Sequence, residues 1–164
     1  MPGSGKSTIA RRVARASGRR AVDVDAEIER VAGTPIPEIF ATEGEAGFRD
    51  LEAQVLRAVL ESTEPAVIAT GGGAVLRIDN RDAMRAHGLV VWLRATPETL
   101  LARVGDGSSR PLLAGDPLGN LARLAAERGD AYAAAAHQIV DVDRLPFDEI
   151  TRRVQAAAKV GAER

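Results

Sequence analysis

Cysteine is absent from this chain of 164 residues, and aromatic residues make up only 3% of it. Without cysteine there can be no disulfide and no thiolate chemistry. Neither charge sign dominates, because 22 basic residues stand against 23 acidic ones. No global basic field therefore indicates nucleic acid or an anionic membrane as a partner. No apolar run approaches the about 18 residues of a membrane-spanning helix, and no signal-peptide pattern is present, so we expect a cytoplasmic protein.

Short apolar runs alternate with longer helical patterns along a chain that is 45% hydrophobic and long enough for one domain, 1–164. The apolar runs predict strands at 20–24, 66–70, 89–93 and 138–142. The helical patterns predict helices at 6–17, 26–31, 36–41, 45–61, 80–86, 97–104, 118–136 and 147–160. This βα alternation predicts a parallel sheet that is covered by helices, with ligands bound beyond the carboxyl ends of the strands.

The chain starts with the end of a phosphate-binding loop: Gly3, Ser4, Gly5, Lys6, Ser7 and Thr8. The two glycines allow successive backbone N–H groups to point into one concavity, and the following helix adds the positive end of its dipole. Lys6 is predicted to reach the β- and γ-phosphates of a nucleotide, and the Ser7 hydroxyl to ligate Mg²⁺. The alternative, a turn that caps an ordinary helix, fits less well, because the Gly-Lys-Ser-Thr ending is much rarer than a single Gly-x-Gly.

The full loop pattern, Gly-x-x-x-x-Gly-Lys-Ser/Thr, would place its first glycine one position before Met1, on the turn after a buried strand. We therefore expect an N-terminally truncated domain. Loss of a central strand would remove about ten backbone hydrogen bonds, each contributing about 0.5–1.5 kcal/mol. This approaches the whole stability of a typical domain, about 5–15 kcal/mol, so we expect this chain to fold poorly and to have little activity.

Polar residues follow the predicted strands. Asp23 and Asp25 end the first of them, where alternation would put both carboxylates on one side of the chain. Asp23 is predicted to hold Mg²⁺ through water, and Asp25 to accept the proton of an attacking hydroxyl. An open alternative is that Asp25 only caps a helix starting at Ala26.

Three glycines, Gly71 to Gly73, follow the second predicted strand and would let backbone approach a ligand closely, although a simple tight turn would also explain them. Arg49 stands one turn into a helix, where its guanidinium could bind a carboxylate bidentately or be merely solvated.

A glycine- and serine-rich stretch at 103–113 indicates a mobile lid that closes over phosphates, with Arg110 as the cation for the transferring group. A flexible surface loop without function is the alternative. Further along, Gly129 falls inside a predicted helix beside Arg128, which indicates either a helix break or a ligand contact there.

Five segments in this order resemble shikimate kinase. They are Gly-x-Gly-Lys-Ser-Thr at 3–8, Asp-x-Asp at 23–25, Phe-x-x-x-Gly-Glu-x-x-Phe-Arg at 40–49, Gly-Gly-Gly at 71–73 and Arg-Pro-Leu-Leu at 110–113. The similarity runs from Met1 to about Val154. It implies transfer of the γ-phosphate of ATP to the 3-hydroxyl of shikimate, with Mg²⁺, in aromatic amino-acid biosynthesis. It also implies a three-layer α/β sandwich whose parallel sheet has five strands in the family and four here, a lid at about 105–116 and a substrate-binding helical region at about 25–52.

The resemblance also assigns roles to individual residues. Asp25, Arg49, Arg128 and Gly71 to Gly73 would bind shikimate, with Asp25 as the base. The P-loop residues with Arg103, Arg110 and Arg144 would bind ATP, and Ser7 and Asp23 the metal. The partner expected is a small molecule, with neither nucleic acid nor membrane, and the chain is expected to be a monomer.

One departure from the family pattern concerns Arg128, because Asp130 and Ala131 replace the proline and leucine of Arg-x-Pro-Leu-Tyr. Two other functions remain open. The chain could be another small-molecule P-loop kinase, such as a gluconate or adenylate kinase relative, or an inactive nucleotide-binding remnant.

Overall fold

Helices and short parallel strands alternate in the computed structural model, which describes residues 1–104 and 115–162. The strands are β1 (Arg20–Asp23), β2 (Ala66–Ala69), β3 (Val91–Arg94) and β4 (Gln138–Asp141). The helices are α1 (Lys6–Ser17), α2 (Val24–Ala32), α3 (Ile36–Leu60), α4 (Ile78–His87), α5 (Pro97–Val104), α6 (Pro117–Ala135) and α7 (Phe147–Ala162), and a short 3-10 helix spans Ala74–Leu76. The α/β class predicted from the sequence is confirmed.

Local signals set most helix ends. Helix α1 stops where Gly18 takes a left-handed conformation with φ 64° and donates its N–H to the carbonyl of Ala14. The helices predicted at 36–41 and 45–61 are confirmed as two parts of α3, which are divided at Gly44, where the backbone is non-helical with φ 70° and ψ −176°. Helix α6 runs through Gly129 without a break, so the helix break considered for that glycine does not occur.

The strands form two separate pairs, which corrects the prediction of one four-stranded sheet. In the described residues β1 pairs in parallel with β2, Arg20 opposite Ala66, and β3 pairs in parallel with β4, Val91 opposite Gln138. Across residues 1–104 and 115–162, no backbone ladder joins β2 to β3. Side chains connect the two pairs instead, because Val67 of β2 and Val91 of β3 pack on the same apolar cluster.

Two apolar clusters lie on opposite faces of the strands. One is built on α1, α7 and the last two strands, and includes Ile9, Val140 and Ile150. The other gathers residues of α2 to α6. Neighbouring residues of one strand divide between them, since Val67 packs on the first cluster and Ile68 on the second. The strands are thus a middle layer between two helical layers. Within residues 1–104 and 115–162, no helix combines the length and the apolarity that a bilayer-spanning segment needs.

Candidate active site

The loop before α1 has the backbone of a phosphate-binding turn. Gly3 and Gly5 have φ angles of 75° and 85°, a region that favours glycine. A Cβ atom on Gly3 would lie 2.7 Å from the carbonyl oxygen of Leu100, and one on Gly5 would lie 2.8 Å from Cε1 of Phe147. Conformation and space therefore both require glycine, and the loop leads directly into the N-terminus of α1.

The side chain of Lys6 folds back over the start of this loop. Its ammonium group donates to the carbonyl oxygen of Met1 at 2.7 Å, and that oxygen also accepts from the hydroxyl of Ser4 at 3.0 Å. Ser4 is buried, so its side chain belongs to the framework of the loop. The ammonium of Lys6 thus lies within the loop, and its predicted contact with the β- and γ-phosphates stays a prediction.

Asp23 and Asp25 do not alternate along one strand, which corrects the predicted arrangement. Asp23 ends β1 and caps α2, with its carboxylate accepting from the N–H of Asp25 at 3.2 Å. Asp25 therefore stands in the first turn of the helix, and the capping role considered for Asp25 belongs to Asp23. Although Asp25 as a residue is exposed, its carboxyl group lies among protein atoms; this desolvation, and then the charge of Asp23, raises its pKa above the ordinary value.

The donor set fits a magnesium ion bound together with a nucleotide. The Ser7 hydroxyl has no hydrogen-bond partner among the described residues, and Asp23 offers a carboxylate at the end of β1. No group of three or more acidic or histidine side chains gathers into a metal cage in the described part of the chain. Magnesium in kinase sites commonly takes only one or two protein oxygens, with phosphates and waters as its other ligands. One hydroxyl and one carboxylate that acts through water are sufficient for such a site.

Each glycine of the run after β2 lies against different polar side chains. A Cβ atom on Gly71 would lie 2.8 Å from both Oδ1 of Asp25 and Oε1 of Glu52. On Gly72 it would lie 3.3 Å from the Tyr132 hydroxyl and 3.6 Å from Nη1 of Arg128, and on Gly73 only 2.5 Å from Cζ of Arg49. The run is therefore open backbone around which side chains from α2, α3 and α6 converge.

Arg49 is held by a buried carboxylate. Its Nη1 donates to Oε2 of Glu52 at 2.7 Å, and Glu52 is only 1% exposed. Burial raises the pKa of Glu52, while the hydrogen bond and the charge of Arg49 act in the opposite direction. The Nε of Arg49 and Oε1 of Glu52 are buried without hydrogen-bond partners among the described residues, so both groups retain capacity for a ligand or water. Arg49 also lies 5.0 Å from the ring centroid of Phe48.

Helix α6 contributes Arg128 and Tyr132, one turn apart, and both are buried. The Tyr132 hydroxyl donates to the carbonyl oxygen of Gly72 at 2.7 Å. The structure therefore brings the glycine run together with Asp25, Arg49 and Arg128, while their predicted roles in binding a substrate stay predictions.

Arg103 lies near the other side of the P-loop. Its Nη2 donates to the carbonyl oxygen of Val142 at 2.8 Å, and its guanidinium stands 5.7 Å from the ring centroid of Phe147, the residue that also approaches Gly5. Arg144 occupies the turn after β4 with a φ of 56° and an exposed side chain. Arg110 and most of the predicted lid lie outside the described residues.

Comparison with known proteins decides the family. The family model described as shikimate kinase matches residues 2–159. A shikimate kinase of Symbiobacterium thermophilum is 47% identical over 167 residues, covering 100% of this chain and 95% of that protein. One of Nitrobacter winogradskyi is 47% identical over 151 residues, covering 92% and 70%. This chain belongs to the shikimate kinase family.

Solved structures of shikimate kinases agree with this assignment. The enzyme of Acinetobacter baumannii in complex with shikimate has a TM-score of 0.88 and 36% identity, over 94% of this chain and 87% of that one. The enzyme of Aquifex aeolicus has a TM-score of 0.84 and 32% identity, over 98% and 93%. The two strand pairs and their helical layers thus follow the shikimate kinase architecture.

Two residues beside the glycine run, Glu52 and Tyr132, were not predicted from the sequence. In each case the signal in the sequence is the spacing from a predicted arginine along the same helix. Glu52 follows Arg49 by three residues, and Tyr132 follows Arg128 by four, so each shares a helix face with a predicted arginine. A search for polar partners at these spacings would have found both.

Proposed function

We propose that this chain transfers the γ-phosphoryl group of ATP to the 3-hydroxyl of shikimate, a step in aromatic amino-acid biosynthesis. The observation that carries the proposal is the convergence of one carboxylate and two guanidinium groups on the glycine run, beside a phosphate-binding loop. Family membership supports it, because shikimate kinases use ATP with Mg²⁺. Gluconate-kinase-like or adenylate-kinase-like chemistry has no comparable support.

The two arginines would bind the carboxylate of the acceptor. Arg128 approaches Gly72 and Arg49 approaches Gly73. Because consecutive Cα atoms are about 3.8 Å apart, the two guanidinium groups stand beside neighbouring residues of one short segment. A planar carboxylate between them would receive charge-assisted hydrogen bonds from both sides. This would fix the acceptor ring with its hydroxyl groups directed away from the arginines.

Asp25 would act as the base. It lies beside Gly71, at the opposite end of the glycine run from Arg49, and Lys6 is among the charges that act on its carboxyl group. The hydroxyl oxygen of the acceptor forms the new bond to phosphorus, the bond from phosphorus to the bridging oxygen of ADP breaks, and Asp25 takes the hydroxyl proton. The raised pKa makes Asp25 a stronger base than an ordinary aspartate.

Residues of the donor half would hold ATP. The N–H groups of residues 3–8 and the ammonium of Lys6 would bind the phosphates, and Arg103, with Arg144, would flank the base. Arg110 is proposed as the cation that neutralises charge on the transferring group. Magnesium, when bound through Ser7 and a water held by Asp23, would neutralise charge on the phosphates.

A coupled assay for ADP release with shikimate, gluconate and AMP as acceptors tests the proposal. We expect turnover with shikimate alone, and its loss in Asp25→Asn. Turnover with another acceptor would replace the substrate. ATP binding without turnover on any acceptor would favour the inactive remnant.

We further propose that the chain works as a monomer in the cytoplasm, with no nucleic acid and no membrane as partner. The near balance of 22 basic and 23 acidic residues supports the absence of nucleic acid and anionic membrane as partners. Sedimentation at assay concentration checks the oligomeric state, and a dimeric mass would contradict it.

A further inference from the structure

Tyr132, the single tyrosine of the chain, joins α6 to the glycine run. It is 7% exposed, and its hydroxyl donates to the carbonyl oxygen of Gly72 at 2.7 Å while accepting from the amino group of Met1 at 3.1 Å. The Tyr132 side chain is less exposed than that of Arg49, whose exposed fraction is 17%. It meets the proposed acceptor site at the carbonyl of Gly72 and lies beside the guanidinium of Arg128.

The ring of Tyr132 has little freedom to move. It stacks on Trp92 of β3 with centroids 5.4 Å apart and an interplanar angle of 23°. Burial raises the pKa of its hydroxyl, against the opposing charge of Arg128, so the group stays protonated and remains a donor at neutral pH. The hydroxyl is thus a fixed anchor point set into the core.

A fixed carbonyl also fixes the next N–H group. The peptide between Gly72 and Gly73 is planar, so the carbonyl of Gly72 and the N–H of Gly73 lie in one plane and point in opposite directions. Among the described residues the Gly73 N–H has no hydrogen-bond acceptor. Two adjoining glycines would otherwise leave this peptide plane free to rotate, because glycine restricts neither dihedral angle strongly.

The charge around Gly73 suits an anion. Arg49 lies against the Cα of this residue, and Arg128 approaches Gly72 from the same helix turn that carries Tyr132. A carboxylate between the arginines would have a backbone N–H beside it as a third donor.

We propose that Tyr132 is a positioning residue of the acceptor site, which holds the Gly72 carbonyl and thereby directs the Gly73 N–H toward the carboxylate of the acceptor. This rests on the proposed function in taking shikimate as the acceptor. The proposed role concerns the anionic acceptor; because the hydroxyl also contacts the amino group of Met1, the KM for ATP is the readout that separates this role from an effect on the phosphate-binding loop.

Tyr132→Phe tests the proposal, because it removes only the hydroxyl. Thr151→Val is a matched control, since the Thr151 hydroxyl also donates to a carbonyl oxygen at 2.7 Å, that of Phe147, and is 9% exposed in α7. For Tyr132→Phe we expect the KM for shikimate and the calorimetric Kd for shikimate to rise about tenfold, the equivalent of about 1.4 kcal/mol. The KM for ATP should stay within twofold. In Thr151→Val neither KM should change, although both variants should lose thermal stability.

Three outcomes would overturn the inference. An unchanged KM for shikimate in Tyr132→Phe, with only the melting temperature lowered, would make the hydroxyl a structural group. Equal increases in both KM values would remove its specificity for the acceptor half. If the wild-type chain neither binds nor phosphorylates shikimate, the proposed function itself fails, and this inference fails with it.

Discussion

Replacing Gly73 with alanine should disable the acceptor half while leaving the fold intact. The backbone of Gly73 has φ −96° and ψ −12°, which alanine adopts without strain. The added Cβ atom would lie 2.5 Å from Cζ of Arg49. Carbon atoms in contact prefer about 3.5–4.0 Å, so the guanidinium must retreat by about 1–1.5 Å.

This displacement also strains the 2.7 Å hydrogen bond from Arg49 to the buried Glu52, so we expect a lower melting temperature in a chain that still folds. The displacement should cost much activity, since a misplacement of about 1 Å in a binding group can reduce a rate by about 10²-fold. For Gly73→Ala we therefore expect kcat/KM for shikimate to fall about 100-fold, with the KM for ATP nearly unchanged. Steady-state kinetics in both substrates and a thermal melt are the measurements.

Gly129→Ala is the matched control. Gly129 lies within α6, and a Cβ atom there would have nothing within 4 Å. Alanine should stabilise the helix by about 1 kcal/mol and leave the kinetics unchanged. The reasoning would be refuted by a Gly73→Ala enzyme whose kcat/KM for shikimate stays within threefold of wild type, or by an equal loss for ATP.

Three further predictions concern the base, the buried ion pair and the strand pairs. Asp25→Asn should lower kcat by about 10²–10⁴-fold and remove the acidic limb of the pH profile, which in wild type should lie above the ordinary aspartate pKa of 3.8. A raised pKa in the folded state means that stability from protonated Asp25 is lost as the pH rises through that pKa, so Asp25→Asn should melt higher than wild type at pH 7; a lower melting temperature would contradict this. Glu52→Ala leaves Arg49 without its carboxylate and should cost about 3–5 kcal/mol in chemical denaturation, whereas a loss below about 1 kcal/mol would show that the pair is not effectively buried. A short apolar strand added before Met1 should pair with β2 and β3, which share no ladder in the described residues, and raise both soluble yield and turnover; equal values for the two forms would contradict this prediction.

Local sequence signals were enough for several elements. The bounds of α1 and α5 agree with those predicted, because a glycine that closes α1 and a proline that opens α5 act through their own backbone. The register of Asp23 and Asp25 was predicted wrongly. The strand pattern was extended past Asp23 to Asp25, whereas Asp23 caps α2 and thereby ends β1.

Features that depend on contacts between distant parts of the chain could not be predicted from the sequence. Apolar runs indicate that strands exist, but which strands share a ladder depends on distant backbone, and the separation of β2 from β3 has no local signature. Arg49 and Arg128 could be named because each lies in a short segment whose pattern resembles that of a known family. Glu52 and Tyr132 are buried beside them, and a pattern of helix faces alone cannot distinguish a side chain that supports a site from one that only fills the core.

The stacking of Trp92 on Tyr132 places the intrinsic tryptophan fluorescence of the protein next to the candidate site. Trp92 is the single tryptophan of the chain, and its neighbour is hydrogen-bonded to the glycine run. The tryptophan emission of this protein therefore originates from one ring. That ring stacks on Tyr132, which is hydrogen-bonded to the glycine run of the acceptor cleft. We therefore expect occupation of that cleft to change the emission of unlabelled protein, because Tyr132 links the ring to the glycine run.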